Sequence, residues 1–269
     1  MLLNLARTRA SALLSSQVRS TFYGRRADQL RVRDEKSGLE AMTDVQKRHG
    51  LNGTPAGPTG SIDPCPESVR PAGVESGWSM RYVPHNDSAV FPSWLFTPPD
   101  QPLVCMTLGS VLPVIGGGRV LGCVIDALAA INVEVALAVG DLDLSAYRPL
   151  PVNIRATPWI PLSALLPSCA AIIHQGGAGS TFTAFACGVP QLVLPHLIDH
   201  SINASAVMRR GTGVAVPAHR ADVESIRTAV DQVLADRALR TAATEVRDEI
   251  AAMPRPDEVV QHLSQLVRS

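Results

Sequence analysis

The stretch 170-AAIIHQGGAGSTFTAFACGVPQLVLP-195 places two apolar runs on either side of four glycines and a histidine. The first run reads as a strand buried on both faces, the kind found in parallel sheets. Gly176, Gly177 and Gly179 follow it directly. They permit a tight turn and let a ligand come close to the backbone. Ser180 and Thr181 read as polar openers of a helix that runs to Cys187, and Gly188 stands where a helix C′ residue belongs. Residues 190–195 then return as a second strand.

The same alternation extends in both directions. Upstream, 103-LVCMTLGS-110 is a continuous apolar run, 117-GGRVLGCVIDALAAI-131 has apolar residues at helical spacing, and 133-VEVALAVG-140 and 152-VNIRATPWI-160 are further strands. Residues 162–169 make a short helix. Downstream, 201-SINASAVMRRG-211 is a helix closed by Gly211, 213-GVAV-216 a sixth short strand, and the tail from 222 onward is helical. Strands alternating with helices of this length predict an α/β doubly wound, Rossmann-like parallel sheet over 101–269. Residues 61–100 are dense in Gly and Pro and read as a linker segment. Residues 1–60 read as an irregular N-terminal extension. Its first 26 residues hold Arg and Ser but no acid, a composition that fits both an organellar transit peptide and an ordinary amphipathic helix.

Bulk properties exclude several classes. The chain has 269 residues, 46% of them hydrophobic, and a formal net charge of zero. That balance argues against a nucleic-acid or anionic-membrane partner, and 4% aromatics offers little surface for stacking bases. No apolar run approaches the ~20 residues that span a bilayer. The five cysteines are odd in number and none forms a CxxC pair, which points to reduced, buried thiols in a cytoplasmic protein. No cluster has metal-ligand spacing, so neither metal nor cofactor is expected.

In doubly wound sheets ligands bind beyond the carboxyl ends of the strands. The turn after residue 175 lies at such an end and runs into a helix, whose first N–H groups and partial positive charge suit a phosphate. The backbone from Gly176 through Gly177, Ala178, Gly179 and Ser180 to Thr181 forms a candidate anion nest, with hydroxyls from the last two and a ring N–H from His174 as added donors. There is no Walker lysine.

From Trp159 the pattern W-I-P-L…LLPSCAAIIHQGGAGSTFTAFACGVPQLVLP…DH…N resembles the nucleotide-sugar-binding half of family-1, GT-B-fold glycosyltransferases. It is similar in particular to the actinobacterial enzymes that attach deoxysugars to antibiotics, the erythromycin desosaminyltransferase type. The likeness covers about residues 60–269 and takes in IDPCPESVRP and MRYVP as an interdomain segment. It implies that Trp159 stacks on a uracil or thymine ring and that the Ile160 backbone bonds the ring's edge. Ser110, His174 and the 176–181 backbone would hold the diphosphate and stabilise the charge that develops as it leaves. Asp199 falls where the family reads sugar hydroxyls. His200 stands where many members carry Gln, which leaves the sugar's identity open, and Asn203 is a further candidate contact.

The resemblance also implies an amino-terminal acceptor domain carrying a histidine base within hydrogen-bond reach of the acceptor hydroxyl. The sequence before Leu103 is too short for that domain, its first 60 residues being either a remnant of that domain's last helices or an unrelated start, so no catalytic base is assigned. Three readings stay open: a piece of a transferase, one subunit of a split enzyme completed by an acceptor-domain partner or a homo-oligomer, and a non-catalytic nucleotide-sugar-binding or accessory protein. The expected ligand is a UDP- or TDP-sugar, bound as substrate.

Overall fold

The computed structural model describes residues 61–266, apart from 75–76, 86–88, 90, 110–117, 141 and 158. Ser110 and the expectations for residues 1–60 lie outside the described residues. The chain divides into two units, one of Met1–Arg81 with Met253–Ser269 and one of Tyr82–Ala252.

In the first unit, β1 (Ile62–Asp63) and β2 (Trp78–Ser79) form a short parallel pair. The loop between them is held by an ion pair. Arg70 Nε donates to the buried Asp63 carboxylate at 3.0 Å, its Nη2 lies 2.9 Å from the same oxygen, and Nη2 also donates to Cys65 O at 3.0 Å. The carboxylate's other oxygen accepts the Cys65 N–H. Trp78 packs edge-on against His262 of α7 (Pro256–Leu266), with ring centroids 5.3 Å apart.

The second unit carries β3 (Leu103–Thr107), β4 (Glu134–Ala138), β5 (Ile154–Thr157), β6 (Ala171–His174), β7 (Gln191–Val193) and β8 (Gly213–Ala215). All six pair in parallel in the order β5-β4-β3-β6-β7-β8. Its helices are α1 (Gly118–Ala129), α2 (Leu162–Leu165), α3 (Ala178–Cys187), α4 (Ile198–Arg210), α5 (Val223–Ala235) and α6 (Arg237–Ala252). Every residue of β3 is buried, because alternate side chains serve opposite faces. Val104 and Met106 join α1 and α5 in one apolar cluster, while Leu103 and Cys105 join Ile160, α2 and α3 in another. Two covered faces make the sheet doubly wound, as its apolar runs require.

Chain order reverses between β3 and β6, which end together at the pair Thr107–His174. A crevice opens at such a reversal, outside the carboxyl ends of the strands. Among the described residues, no helix is long and apolar enough to cross a membrane.

Two helix starts differ from the sequence reading. Helix α3 opens at Ala178 with Gly177 as N-cap, not at Ser180, and no side chain caps it. The Thr181 hydroxyl does not cap, since it donates back to Gly177 O at 2.9 Å. Helix α4 opens at Ile198 and so takes in Asp199 and His200, which the sequence placed in a loop. The Asp199 carboxylate in that first turn complements the helix dipole.

Candidate functional site

The apolar run of β6 ends in His174, whose ring is fully buried. Its Nδ1 accepts the Gly176 N–H at 3.1 Å, and a nitrogen that accepts carries no hydrogen. The proton therefore sits on Nε2, which donates to Gln191 Oε1 at 2.9 Å. Burial pushes the ring's pKa down to about 4; the Gln191 bond opposes the shift and nearby His200 adds to it. His174 is thus neutral with both nitrogens in use. This corrects the expectation of a ring N–H for phosphate: the ring shapes the turn instead.

Gly176 is held from three sides. Its N–H is bound by His174, its carbonyl accepts from Asn203 Nδ2 at 2.6 Å, and its φ is +97°. A Cβ there would lie 2.8 Å from His200 O and 2.9 Å from a Val193 methyl, so only glycine fits. Asn203 is buried and serves the turn, which assigns its amide to backbone support instead of sugar contact. The result is that α3 points its first turn at the crevice. The N–H groups of Ala178, Gly179 and Ser180 have no carbonyl four residues back to bond, whereas Thr181 N–H already bonds Gly177 O. The Thr181 hydroxyl is spent as well, but the partly exposed Ser180 hydroxyl makes no hydrogen bond among the described residues.

The far side of the site starts at β5. Trp159, just past its carboxyl end, is 55% exposed, while Ile160 is buried in the core beneath it. Strands β5 and β6 are three places apart in the sheet, which at ~4.8 Å per strand sets their ends about 14 Å apart on one edge. An exposed indole at one end and an uncapped helix N-terminus at the other suit a ligand that is aromatic at one terminus and anionic at the other.

Helix α4 brings Asp199 and His200. The Asp199 side chain is 52% exposed, and His200 Nε2 lies 4.0 Å from its Oδ2. His200 itself is only 5% exposed, with Nδ1 buried and unpartnered. Its Nδ1 therefore faces the interior, while Nε2 lies on the side of the half-exposed Asp199 carboxylate. Burial lowers its pKa, and the Asp199 carboxylate opposes that. His196 donates from Nδ1 to Leu194 O at 2.7 Å, and burial lowers its pKa too. Among the described residues no group of three or more His, Cys, Asp and Glu is placed to hold a metal.

The sequence reading missed two residues. Tyr82 packs its ring on Phe182 at 5.3 Å and sets its hydroxyl 3.4 Å from both Gly179 O and Thr183 Oγ1, steadying the first turn of α3. Gln175, between His174 and Gly176, is 7% exposed and lies against Gly109 at the end of β3 and Gly177 at the start of α3. A polar residue closing an apolar run beside the glycines was the available signal.

This arrangement has close counterparts among known proteins. The family profile described as "Erythromycin biosynthesis protein CIII-like, C-terminal domain" matches residues 122–266, and that of the corresponding N-terminal domain matches 5–109. The 10-deoxymethynolide desosaminyltransferase of Streptomyces venezuelae is 39% identical over 211 residues, covering 77% of this chain and 49% of its own length. The L-demethylnoviosyl transferase of Streptomyces niveus is 40% identical over 220 residues, covering 80% and 57%. The chain thus spans about half the length of these curated relatives. Among solved structures, spinosyn rhamnosyltransferase SpnG superposes with a TM-score of 0.73 at 33% identity, covering 82% of this chain and 60% of that one. The same enzyme complexed with thymidine diphosphate gives 0.72 at 34%, with the same coverage. The sheet order, the glycine turn and the matched profile lead to one conclusion: the chain belongs to the erythromycin biosynthesis protein CIII-like family of GT-B-fold glycosyltransferases.

Proposed function

We propose that the Tyr82–Ala252 unit seats a UDP- or TDP-activated sugar. In this reading the base stacks on Trp159, the diphosphate rests on the amides of residues 178–180, and Asp199 faces the sugar. The observation that carries it is the uncapped N-terminus of α3, aimed by the locked Gly176 turn at the switch-point crevice. Negative charge grows on the diphosphate as the glycosidic bond breaks. Fixed N–H dipoles already pointing there stabilise that charge without rearranging. His174, His196 and His200 all have lowered pKa values, so the positive potential comes from the helix end and not from an imidazolium.

Completed by an acceptor-binding domain, this seat would serve transfer of a hexose or deoxyhexose to a natural-product acceptor. Calorimetry with thymidine and uridine diphosphates tests the seat. Wild type is expected to bind, and Trp159→Ala to weaken binding by about 1–3 kcal/mol, the worth of one base–aromatic stack. A folded wild type that binds neither would sink the reading.

A second reading, nucleotide-sugar binding without turnover by this chain, draws on His174. Its locked ring leaves the one histidine of the glycine turn unable to take a proton from an acceptor. Sugar transfer assayed with the purified chain, alone and mixed with a full-length transferase, separates the two.

A further inference from the structure

The first turn of α4 sets an exposed carboxylate beside a buried ring. Asp199 is half-exposed, and among the described residues its carboxylate accepts no hydrogen bond; His200 Nε2 lies 4.0 Å from Oδ2, too far to donate. The His200 side chain is more than nine-tenths buried, and its Nδ1 is unpartnered. A neutral ring carries one hydrogen. On Nε2 it leaves Nδ1 a bare acceptor in the interior; on Nδ1 it turns the Nε2 lone pair toward a carboxylate. The protonated ring has no such mismatch. Its Nε2–H faces Asp199, and near its Nδ1–H is His196, whose Nε2 is a buried acceptor with no donor because that ring's hydrogen goes from Nδ1 to Leu194 O. Burial lowers the pKa of both rings, but the Asp199 carboxylate draws charge to His200 while Arg119, at the start of α1, repels it from His196. His174, at the end of β6, also faces the pair, and its locked ring stays neutral.

We propose that His200 is a positioning residue: neutral, it leaves the Asp199 carboxylate to sugar hydroxyls, and protonated, it draws that carboxylate onto Nε2 and away from them. The inference rests on the nucleotide-sugar reading above and adds a pH dependence to its sugar end alone. At neutral pH the ring is uncharged, because burial holds it below its ordinary value of about 6.5. Mild acid charges it and closes the gap to Asp199. The diphosphate end holds no group of this pair, so the two ends of one ligand respond differently to pH.

The test titrates the full chain with thymidine diphosphate glucose and with thymidine diphosphate by calorimetry, at about pH 7.5 and pH 5.5 on either side of the histidine range, with thermal unfolding run at each. His200→Gln keeps a polar side chain that is neutral at both pH values. Wild type is expected to lose about 10-fold in sugar-nucleotide affinity at the lower pH, the worth of a hydrogen bond to a charged group. His200→Gln is expected to stay within about 2-fold. Thymidine diphosphate affinity is expected to change with pH equally in the two proteins. Proton NMR of the His200 ring adds a readout that needs no ligand: Asp199→Asn is expected to move its titration midpoint down by about one pH unit or more. Matching sugar-nucleotide profiles in wild type and His200→Gln, a wild-type loss that thymidine diphosphate shares, or an unmoved midpoint overturns the role of His200 and leaves the donor seat standing. Failure of folded wild type to bind the sugar nucleotide at the higher pH overturns both.

Discussion

The His174 ring spends both nitrogens on the protein, one on Gly176 and one on Gln191. Its tautomer is fixed by accepting the Gly176 N–H, so protonating Nδ1 would set two N–H groups against each other. The folded ring titrates at about 4, against about 6.5 when unfolded. The unfolded chain therefore takes up the proton first. Stability from this group is complete above pH 6.5, falls as pH drops toward 4, and is level below that. Over that window about 3 kcal/mol is expected to disappear. Urea unfolding from pH 7 to pH 4 reads the slope, and His174→Gln is expected to flatten it. Two residues on, Gly176→Ala is expected to cost at least about 2 kcal/mol, since the added methyl meets His200's backbone at a φ that side chains avoid. The same urea series measures it. Neither arrangement was legible in the sequence. Period and composition locate a histidine beside glycines, but whether its ring faces in or out depends on Gln191, a residue on the neighbouring strand.

At the scale of elements, periodicity foretold all six parallel strands and the glycine stops of α3 and α4. Strands buried on both faces leave an unbroken apolar signature, and a left-handed C-cap nearly demands glycine. Helix starts were less legible. Ser180 and Thr181 look like caps, yet a threonine inside a helix can bond a carbonyl four residues back, and Thr181 does so. What steadies the open end of α3 is Tyr82, from a segment with no periodic signal. Tyr82→Phe keeps the ring on Phe182 and removes two long hydrogen bonds of 3.4 Å. It is expected to lower unfolding stability by about 0.5–1.5 kcal/mol. Calorimetry on the same variant is expected to show weaker thymidine diphosphate binding if the turn's rigidity supports the seat.

For the whole molecule, the division of the chain gives each unit its own vulnerability. In the Asp63–Arg70 pair the carboxylate is buried and the guanidinium mostly so, each charge satisfied by the other and by backbone. Removing one partner strands the other, so Arg70→Met is expected to destabilise by about 3–5 kcal/mol in urea unfolding. The proposed seat uses residues of Tyr82–Ala252 alone, and nucleotide affinity measured where the variant is still folded is expected to be unchanged. The sequence marked IDPCPESVRP only through the family resemblance, because an ion pair seven residues apart leaves no periodic trace. The Gly176 lock has a longer reach. Diphosphate is common to every UDP- or TDP-activated sugar, and here it would meet main-chain amides, which no codon change can replace. The sugar varies from donor to donor, and it would meet Asp199, which a codon change can alter at will. Selectivity is thereby free to drift while the grip on the shared part stays put.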